Sequence, residues 1–258
     1  MKLTWLGTAA FKIEGRGHTL LIDPYVTRNP EAFPPQPLKP EDIRTADSIF
    51  ITHGHFDHIF DVPEIASKTN ATVYCGRGVD QTLIHNGLDA SRIRRVKTDG
   101  ETFHLDGLTA RAFFSRHIPF DRWLMLKTLC RIHIGLPHYL PLLRNYPEGR
   151  VLSWRITLEG KSLHHFGSGG DTVSELKRLA RQPIDILLVP MQGHTHITRI
   201  AHNYVAALAP KMVIPHHQDN FFPPISTLVD PKAFVKRVES SHPHIAVRVL
   251  GINETIEI

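Results

Sequence analysis

The stretch His53-Gly54-His55-Phe56-Asp57-His58 is the feature that most constrains what this chain can fold into. It follows an apolar run, 48–52, that is typical of a buried β-strand. Three imidazoles and one carboxylate within six residues are ligand types that divalent transition metals take. We therefore expect a metal site at the end of a strand, in a fold that brings further ligands to it.

The rest of the chain alternates between short strands and helices, which predicts an α/β fold. Three glycine-separated strands at 2–6, 11–14 and 19–23 are typical of a β-meander. Helices are predicted at 62–69, 79–85, 172–181, 199–208 and 231–239. Further strands are predicted at 71–75, 93–97, 101–105, 108–115, 151–158, 162–166, 184–189, 211–214, 245–250 and 254–258.

Composition limits the classes of function. With 258 residues, 41% of them hydrophobic, the chain is long enough for one large α/β domain or two small ones. The formal charge of +5 and the pI near 9.3 favour an anionic substrate or surface. Because the Lys and Arg residues are scattered, there is no strong signal for a nucleic-acid partner. The 18 histidines support metal or proton-transfer chemistry.

The cysteines and the N-terminal sequence indicate in which cellular compartment the protein is expected. Cys75 and Cys130 lie far apart in apolar segments, and we predict that both are buried thiols. The N-terminal apolar run is too short for a signal peptide, and no stretch approaches the roughly 18 apolar residues of a membrane span. These features predict a cytoplasmic protein without a transmembrane span.

Two segments interrupt the alternation of short strands and helices. Residues 24–40 contain six prolines and form either a rigid surface excursion or one wall of a cleft. Residues 118–149 are typical of an insertion, with apolar and basic residues interleaved. A helix over 121–134 would have a wide apolar face suited to a peripheral membrane contact. The alternative that we favour is a helical hairpin that packs on its own domain or across a homo-oligomer contact.

A third histidine completes one candidate metal site. His53 and His55 are two residues apart and can face the same way. A third nitrogen ligand would give an open zinc site with room for water. His117, at the end of the strand predicted over 108–115, is the best candidate.

A second candidate site begins at Asp57 and His58, which project differently from the first two histidines. It needs another imidazole and a shared carboxylate, and His217 and Asp171 fit those needs. The choice of His217 over His216 depends on register, because adjacent strand residues face opposite sides.

These motifs together resemble those of the metallo-β-lactamase superfamily of metal-dependent hydrolases. The resemblance covers the chain apart from 118–149, and it is strongest to the small single-domain branch that includes L-ascorbate-6-phosphate lactonase and N-acyl-phosphatidylethanolamine phospholipases. The matching motifs are Thr4-Trp5-Leu6-Gly7, Leu21-Ile22-Asp23-Pro24, the stretch from His53 to His58, His117, Gly170-Asp171-Thr172 and Val213-Ile214-Pro215-His216-His217.

The resemblance implies a fold and a cofactor. The fold would be a four-layer αβ/βα sandwich, with a single metallo-hydrolase domain over residues 1–258 and a helical insertion near 118–149. The cofactor would be two divalent metal ions, with zinc favoured and manganese or iron as alternatives. One metal would take His53, His55 and His117, the other would take Asp57, His58 and His217, and Asp171 would bridge them.

The reaction implied is hydrolysis of a phosphodiester or a lactone-type ester by a hydroxide that bridges the two metals. Asp57 is expected to orient that hydroxide, and Asp23 is expected to support a ligating imidazole. His194 and His196 follow a strand at the expected active-site edge, and we predict that they contact substrate, with His196 as a catalytic acid. Further polar candidates near the mouth are His202 and Asp219.

Several substrate classes remain open. Asp171 stands where antibiotic-hydrolysing relatives carry cysteine, which argues against a β-lactamase. The apolar and basic insertion favours a small-molecule or lipid-like anionic substrate. A nuclease or cyclic-nucleotide phosphodiesterase is the alternative enzyme, and it predicts a basic groove that leads to the metals. A non-catalytic, metal-loaded binding or regulatory protein is the third hypothesis.

Overall fold

Two mixed β-sheets form the centre of the computed structural model, which describes residues 1–132, 141, 142, 144–170 and 172–258. From edge to edge, the first sheet contains β14 (Thr255–Glu257), β1 (Lys2–Gly7), β2 (Ala10–Gly15), β3 (His18–Ile22), β4 (Ser48–Phe50), β5 (Thr72–Cys75) and β6 (Ile93–Arg95). The second contains β13 (Ala246–Val247), β12 (Met212–His216), β11 (Ile186–Pro190), β10 (Lys161–His165), β9 (Leu152–Leu158), β8 (Leu108–Phe114) and β7 (Thr102–Leu105).

The two sheets have the same internal plan. Strands β14, β1, β2 and β3 pair antiparallel, and β3 to β6 pair parallel. In the second sheet β7 to β10 pair antiparallel, and β10 to β13 pair parallel. Parallel neighbours need a crossover connection, which usually contains a helix. The chain after β4 and after β11 therefore leaves its sheet at the carboxyl end of a parallel strand.

All of the described helices except the one over Arg122–Ile132 pack on the outer faces of the two sheets. In the described residues they are α1 (Phe56–Ile59), α2 (Val62–Thr69), α3 (Val79–His85), α4 (Arg122–Ile132), α5 (Val173–Leu179), α6 (Ile197–Leu208) and α7 (Lys232–Ser241). None of them is long and apolar enough to cross a membrane.

Three hydrophobic clusters lie between four layers. Neighbouring strand residues point to opposite faces, so Phe50 packs with Trp154 between the sheets while Ile49 packs against α2 and α3. In the second sheet Leu188 faces the other sheet, and Leu187 faces α6 and α7. This layer order confirms the predicted α/β sandwich.

Most predicted elements appear within a few residues of their expected bounds. The helices at 62–69 and 79–85 begin and end as predicted. The strand predicted over 245–250 is reduced to Ala246–Val247, because only these two residues pair with β12 at the sheet edge. The short helix α1, which carries two residues of the histidine stretch, was not predicted.

The predicted insertion is helical where it is described. Helix α4 covers Arg122–Ile132 of the predicted 121–134, and the rest of that prediction lies outside the described residues. The prediction that both cysteines are buried is half wrong. Cys75 is buried in β5, but Cys130 is exposed because it lies on the outward face of α4.

Candidate metal centre

The segment from Thr52 to His58 lies at the edge where the parallel strands β3 and β4 end. Gly54 is required in its turn, because a Cβ at this position would overlap the backbone oxygen of Pro147. The Gly54 N–H donates to the carbonyl of Glu148 at 2.8 Å. This close backbone approach fixes the turn that carries a histidine on each side of Gly54.

His53, His55 and His117 form the first cluster. One ring nitrogen of each lies within 4.8 Å of the other two. His53 Nε2 and His55 Nδ1 are 3.0 Å apart, and the His117 ring centroid is 4.9 Å from each of their ring centroids. His117 follows β8, and an antiparallel bridge to Gly169 holds it at this edge.

Hydrogen bonds fix how these imidazoles face the cluster. His117 Nδ1 donates to the Ile118 carbonyl at 2.7 Å, since a carbonyl oxygen can only accept, and this leaves the Nε2 lone pair available. The Thr52 hydroxyl donates to Asp23 at 2.6 Å and therefore accepts from His53 Nδ1 at 3.1 Å. The rings of His53 and His117 thus each keep Nε2 available as a ligand.

Asp57, His58 and His217 form the second cluster, again with ligand-type atoms within 4.8 Å of one another. Asp57 Oδ2 lies 3.2 Å from His217 Nε2 and 3.7 Å from His58 Nε2. His217 follows β12 with a φ of 62°, a left-handed conformation that turns the chain at the strand end. His216 is the last residue of β12, and its ring packs edge-on against Phe11. The structure therefore brings His217, and not His216, to the cluster.

Asp23 supports the second cluster from behind. It is fully buried directly after β3. Its Oδ2 accepts from His58 Nδ1 at 2.8 Å and from the Thr52 hydroxyl, while its Oδ1 accepts from the Thr52 N–H at 2.7 Å. Because Asp23 holds Nδ1, the Nε2 of His58 faces the cluster, which is the geometry expected of a residue that orients a ligand.

The two clusters adjoin, because the ring centroids of His53 and His58 are 3.9 Å apart. Burial and the neighbouring imidazoles lower the pKa of His53 well below its usual value and that of His117 to about 4. Both rings are therefore uncharged at neutral pH, which is the form that binds metals. Burial raises the pKa of Asp57, but His58 and His217 outweigh it and lower that pKa below its usual range.

This donor set fits divalent transition metals. Five imidazoles and one carboxylate converge in two adjoining triplets, and imidazole with carboxylate is a combination that zinc, manganese and iron accept. In the described residues the clusters contain no thiolate. Asp171, the carboxylate predicted to bridge the metals, lies outside the described residues.

Both clusters open into a cavity of about 200 Å³. Its polar lining beyond the clusters comes from Ser168, Gln192 and Ser226, and no Lys or Arg occurs among the described residues of its wall. The remaining wall is largely apolar, formed by Phe56, Phe120, Leu142, Tyr146, Phe221 and Ile225. The cavity therefore favours an apolar group beside the metal ligands.

His194 and His196, the residues predicted to contact substrate, do not line this cavity. His194 Nδ1 accepts from the His196 N–H at 2.9 Å and lies 3.3 Å from a carboxylate oxygen of Asp121. The His196 side chain is exposed directly before α6. Gln192 lines the wall instead, and its Nε2 donates to the Asp219 carbonyl at 2.6 Å.

The other two polar candidates have contacts away from the cavity. Asp219 is fully buried, accepts from the Thr8 N–H at 3.0 Å and pairs with Arg28. His202 lies on α6, and its ring centroid is 5.3 Å from that of His242.

Glu175 is a buried residue near the site that sequence reasoning missed. Its carboxyl oxygens accept from the hydroxyls of Ser115 and Ser153, each at 2.8 Å. The Ser115 hydroxyl oxygen also accepts from the Gly170 N–H at 3.0 Å, so the network supports the chain beside His117. Burial raises the pKa of Glu175 to about 7. In the sequence it has the appearance of an ordinary acidic residue in the first turn of a helix.

Comparison with known proteins agrees with this geometry. The family model described as beta-lactamase superfamily domain matches residues 2–217. The chain therefore belongs to the beta-lactamase superfamily and, within it, to the UPF0173 metal-dependent hydrolases. It is 32% identical over 246 residues to the member from Pyrococcus abyssi, covering 92% of each chain. It is also 32% identical over 262 residues to the Archaeoglobus fulgidus member, covering 100% of this chain and 99% of that one.

A solved structure shows the same fold. Igni18, described as a metallo hydrolase from Ignicoccus hospitalis, is 27% identical with a TM-score of 0.71, covering 99% of this chain and 97% of its own. The predicted superfamily and fold are thus confirmed. The resemblance to L-ascorbate-6-phosphate lactonase and N-acyl-phosphatidylethanolamine phospholipases stays a prediction.

Proposed function

We propose that this protein is a hydrolase that uses two divalent metal ions to cleave an ester or lactone bond carrying an apolar group. The observation that carries the proposal is the pair of adjoining triplets on one side of a mainly apolar cavity. His53, His55 and His117 would hold one ion, and Asp57, His58 and His217 the other. Zinc is the favoured metal, with manganese or iron as alternatives.

When bound, two such ions lower the pKa of a water molecule and stabilise the charge that develops on the substrate. The chain's own residues hold the reacting groups in place. Asp57, which lines the cavity and is ionised, can accept a hydrogen bond from the attacking water and so orient it. Asp23 and Thr52 keep His58 and His53 in fixed orientations.

The substrate's apolar group has room to extend beyond the metal centre. A second cavity, of about 510 Å³, shares Phe56, Leu142 and Tyr146 with the first. Residues 25 and 27–30 of the proline-rich segment also line it, so that segment forms a cleft wall. Since the first cavity offers no cationic side chain among its described residues, the metals themselves would neutralise any charge at the scissile bond.

A nuclease is the second candidate, and one observation favours it. A surface depression is lined by Arg77, Arg95, Lys97 and Arg150. Arg150 also lines the adjacent depression, which reaches His117 and includes Glu148. These cations could guide a phosphodiester backbone towards the first cluster. This candidate is the weaker one, because no Lys or Arg occurs among the described residues that line the cavity beside the two clusters.

An activity screen on the metal-loaded protein distinguishes the candidates. The panel holds lactones and carboxylic esters with apolar groups of increasing length, simple phosphodiesters and oligonucleotides, with His55→Ala as the inactive control. We expect turnover of the esters or lactones, increasing with apolar length. Turnover of oligonucleotides alone would establish the nuclease, and full metal loading with no turnover on any substrate would indicate a binding protein.

A further inference from the structure

Helix α4 presents an unusually apolar outward face. The exposed fractions are 68% for Trp123, 53% for Leu126, 51% for Met125 and 48% for Leu129. At about 100° per residue, these four side chains lie within an arc of about 160°. Water-exposed apolar groups at this density mark an interaction surface.

The exposure does not arise from a detached helix. Leu124 and Thr128 are half-buried and Ile132 is buried, and these three residues, spaced four apart, form the stripe of α4 that faces the body of the protein. At the N-terminus, Asp121 Oδ1 accepts from the N–H groups of Trp123 and Leu124 at 2.9 and 3.1 Å. The other oxygen of Asp121 accepts from the Thr195 N–H at 2.6 Å. The helix is thus fixed to the body of the protein with its apolar face outward.

Basic residues accompany the apolar face. Helix α4 contains Arg122, Lys127 and Arg131 and no acidic residue. None of these three cations forms an ion pair with another described residue. By the same helical geometry Arg122 lies within the apolar arc, and Lys127 and Arg131 lie beside it. Apolar side chains with uncompensated cations among and beside them suit the interface of a membrane with anionic headgroups.

This face adjoins the mouth of the metal cavity. Phe120, directly before α4, is 54% exposed and lines the cavity, and its ring stacks on His117 with centroids 5.9 Å apart. At the other end of the helix, Arg131 Nη2 donates to the carbonyl of Ile225, which also lines the cavity, at 3.3 Å. A surface that covers α4 therefore lies beside the entrance.

We propose that α4 docks the protein on the surface of a bilayer that carries anionic headgroups, with the cavity mouth at the lipid interface. A second copy of the chain is a poorer occupant. A two-fold contact through α4 would bring the three cations of each copy into one interface, where no acidic residue of α4 offsets them and like charges repel. Docking does not depend on turnover. The docking proposal can therefore be wrong while the proposed hydrolase activity is right, and the hydrolase activity can be wrong while the docking proposal is right.

Vesicle binding tests the proposal with the full chain. Vesicles of phosphatidylcholine alone are compared with vesicles that also contain phosphatidylglycerol, by sedimentation and by tryptophan fluorescence. Trp5 and Trp154 are buried, so a blue shift would report mainly on Trp123. We expect binding only to the anionic vesicles, together with the blue shift.

Two variants and two controls make the test specific. Leu126→Glu should abolish binding, and Arg122→Glu with Lys127→Glu should weaken it more than about 10-fold, since each cation contributes about five-fold. Ile84→Glu, at an apolar residue of α3 with 46% exposure, and Lys232→Glu, on α7, should bind as the wild type does.

Absence of binding to anionic vesicles would overturn the proposal, and so would equal binding to both vesicle types. A stable dimer in the absence of lipid, dissociated by Leu126→Glu, would assign the face to a second copy instead.

Discussion

Two groups of buried histidines lie close together in this fold and differ in their surroundings. His58 in the metal centre has Nδ1 hydrogen-bonded to Asp23 and Nε2 near Asp57. His164 and His216, in the second sheet, are equally buried, but neither ring nitrogen of either one has a hydrogen-bond partner among the described residues.

The pKa of His58 shifts in the opposite direction from those of His164 and His216. Burial lowers the pKa of His164 and His216 well below the usual value. Burial also acts to lower the pKa of His58, but the carboxylates of Asp23 and Asp57 raise it overall. Burial alone therefore does not identify a metal ligand. Ring nitrogens that converge on one another, with the opposite nitrogen of the ring held by a hydrogen bond as in His58, do identify one, and the following predictions test that difference.

The largest expected effect is on activity and metal content. His55→Ala removes a nitrogen from the first cluster and should lower kcat/KM by more than about 100-fold, beyond the 10–100-fold typical of residues that only orient a ligand. His164→Leu should leave both kcat/KM and metal content within about two-fold of the wild-type values. Kinetics on the best substrate of the screen, with metal analysis of each variant, measures this. Equal losses in the two variants would remove the distinction between the groups.

Glu175 extends the comparison to carboxyl groups, because Ser115, Ser153 and Arg178 do not outweigh the effect of burial on its pKa, whereas the imidazoles outweigh it at Asp57. Its pKa rises from 4.5 to about 7 on folding. An acid with a raised pKa contributes its full stability below pH 4.5, and that contribution is lost as pH rises through about 7. Between pH 4.5 and 8 the wild type should therefore lose about 3 kcal/mol relative to Glu175→Gln. Chemical denaturation of both proteins at the two pH values measures this, and a constant difference would refute it.

The carboxylate behind the cluster should affect metal affinity more than stability. Asp23→Asn weakens the hydrogen bond to His58 and removes the charge, so the affinity for zinc should fall by about 10- to 100-fold. Asp61→Asn is the matched control, since Asp61 is also buried and also accepts backbone N–H bonds, from Val26 and Thr27. Competition with a chromophoric chelator measures both variants. Unchanged affinity in Asp23→Asn would show that this carboxylate does not orient a ligand.

The smallest effect is a gain in stability. Replacing His164 by Leu removes two ring nitrogens without described partners from an apolar environment formed by Phe113 and Phe166. A buried polar group without a hydrogen bond costs about 1–3 kcal/mol, part of which is offset by imperfect packing of the new side chain. We expect the unfolding free energy to rise by about 1 kcal/mol in denaturant titrations. A loss of that size would show that His164 has a partner after all.

The sequence was sufficient to predict features that depend only on the order of residues along the chain. The alternation of strands and helices predicts the layers, and His53 to His58 directly follow a strand, so the cluster position follows from the motif. The resemblance to the superfamily assigns His217 rather than His216, but the physical reason, the end of β12 at His216 and the left-handed turn after it, is visible only in the structure. Patterns along the chain also could not show that His194 turns towards Asp121 while Gln192 faces the cavity. Such choices depend on contacts between distant segments.

The metal-to-protein ratio tests the central claim most directly. The protein is stripped with a chelator, reloaded with zinc, separated from free metal and analysed by mass spectrometry of the elements. We predict two zinc ions per chain in the wild type and in His164→Leu, and fewer in His55→Ala. A wild type that retains one ion or none under these conditions would contradict the two-metal centre.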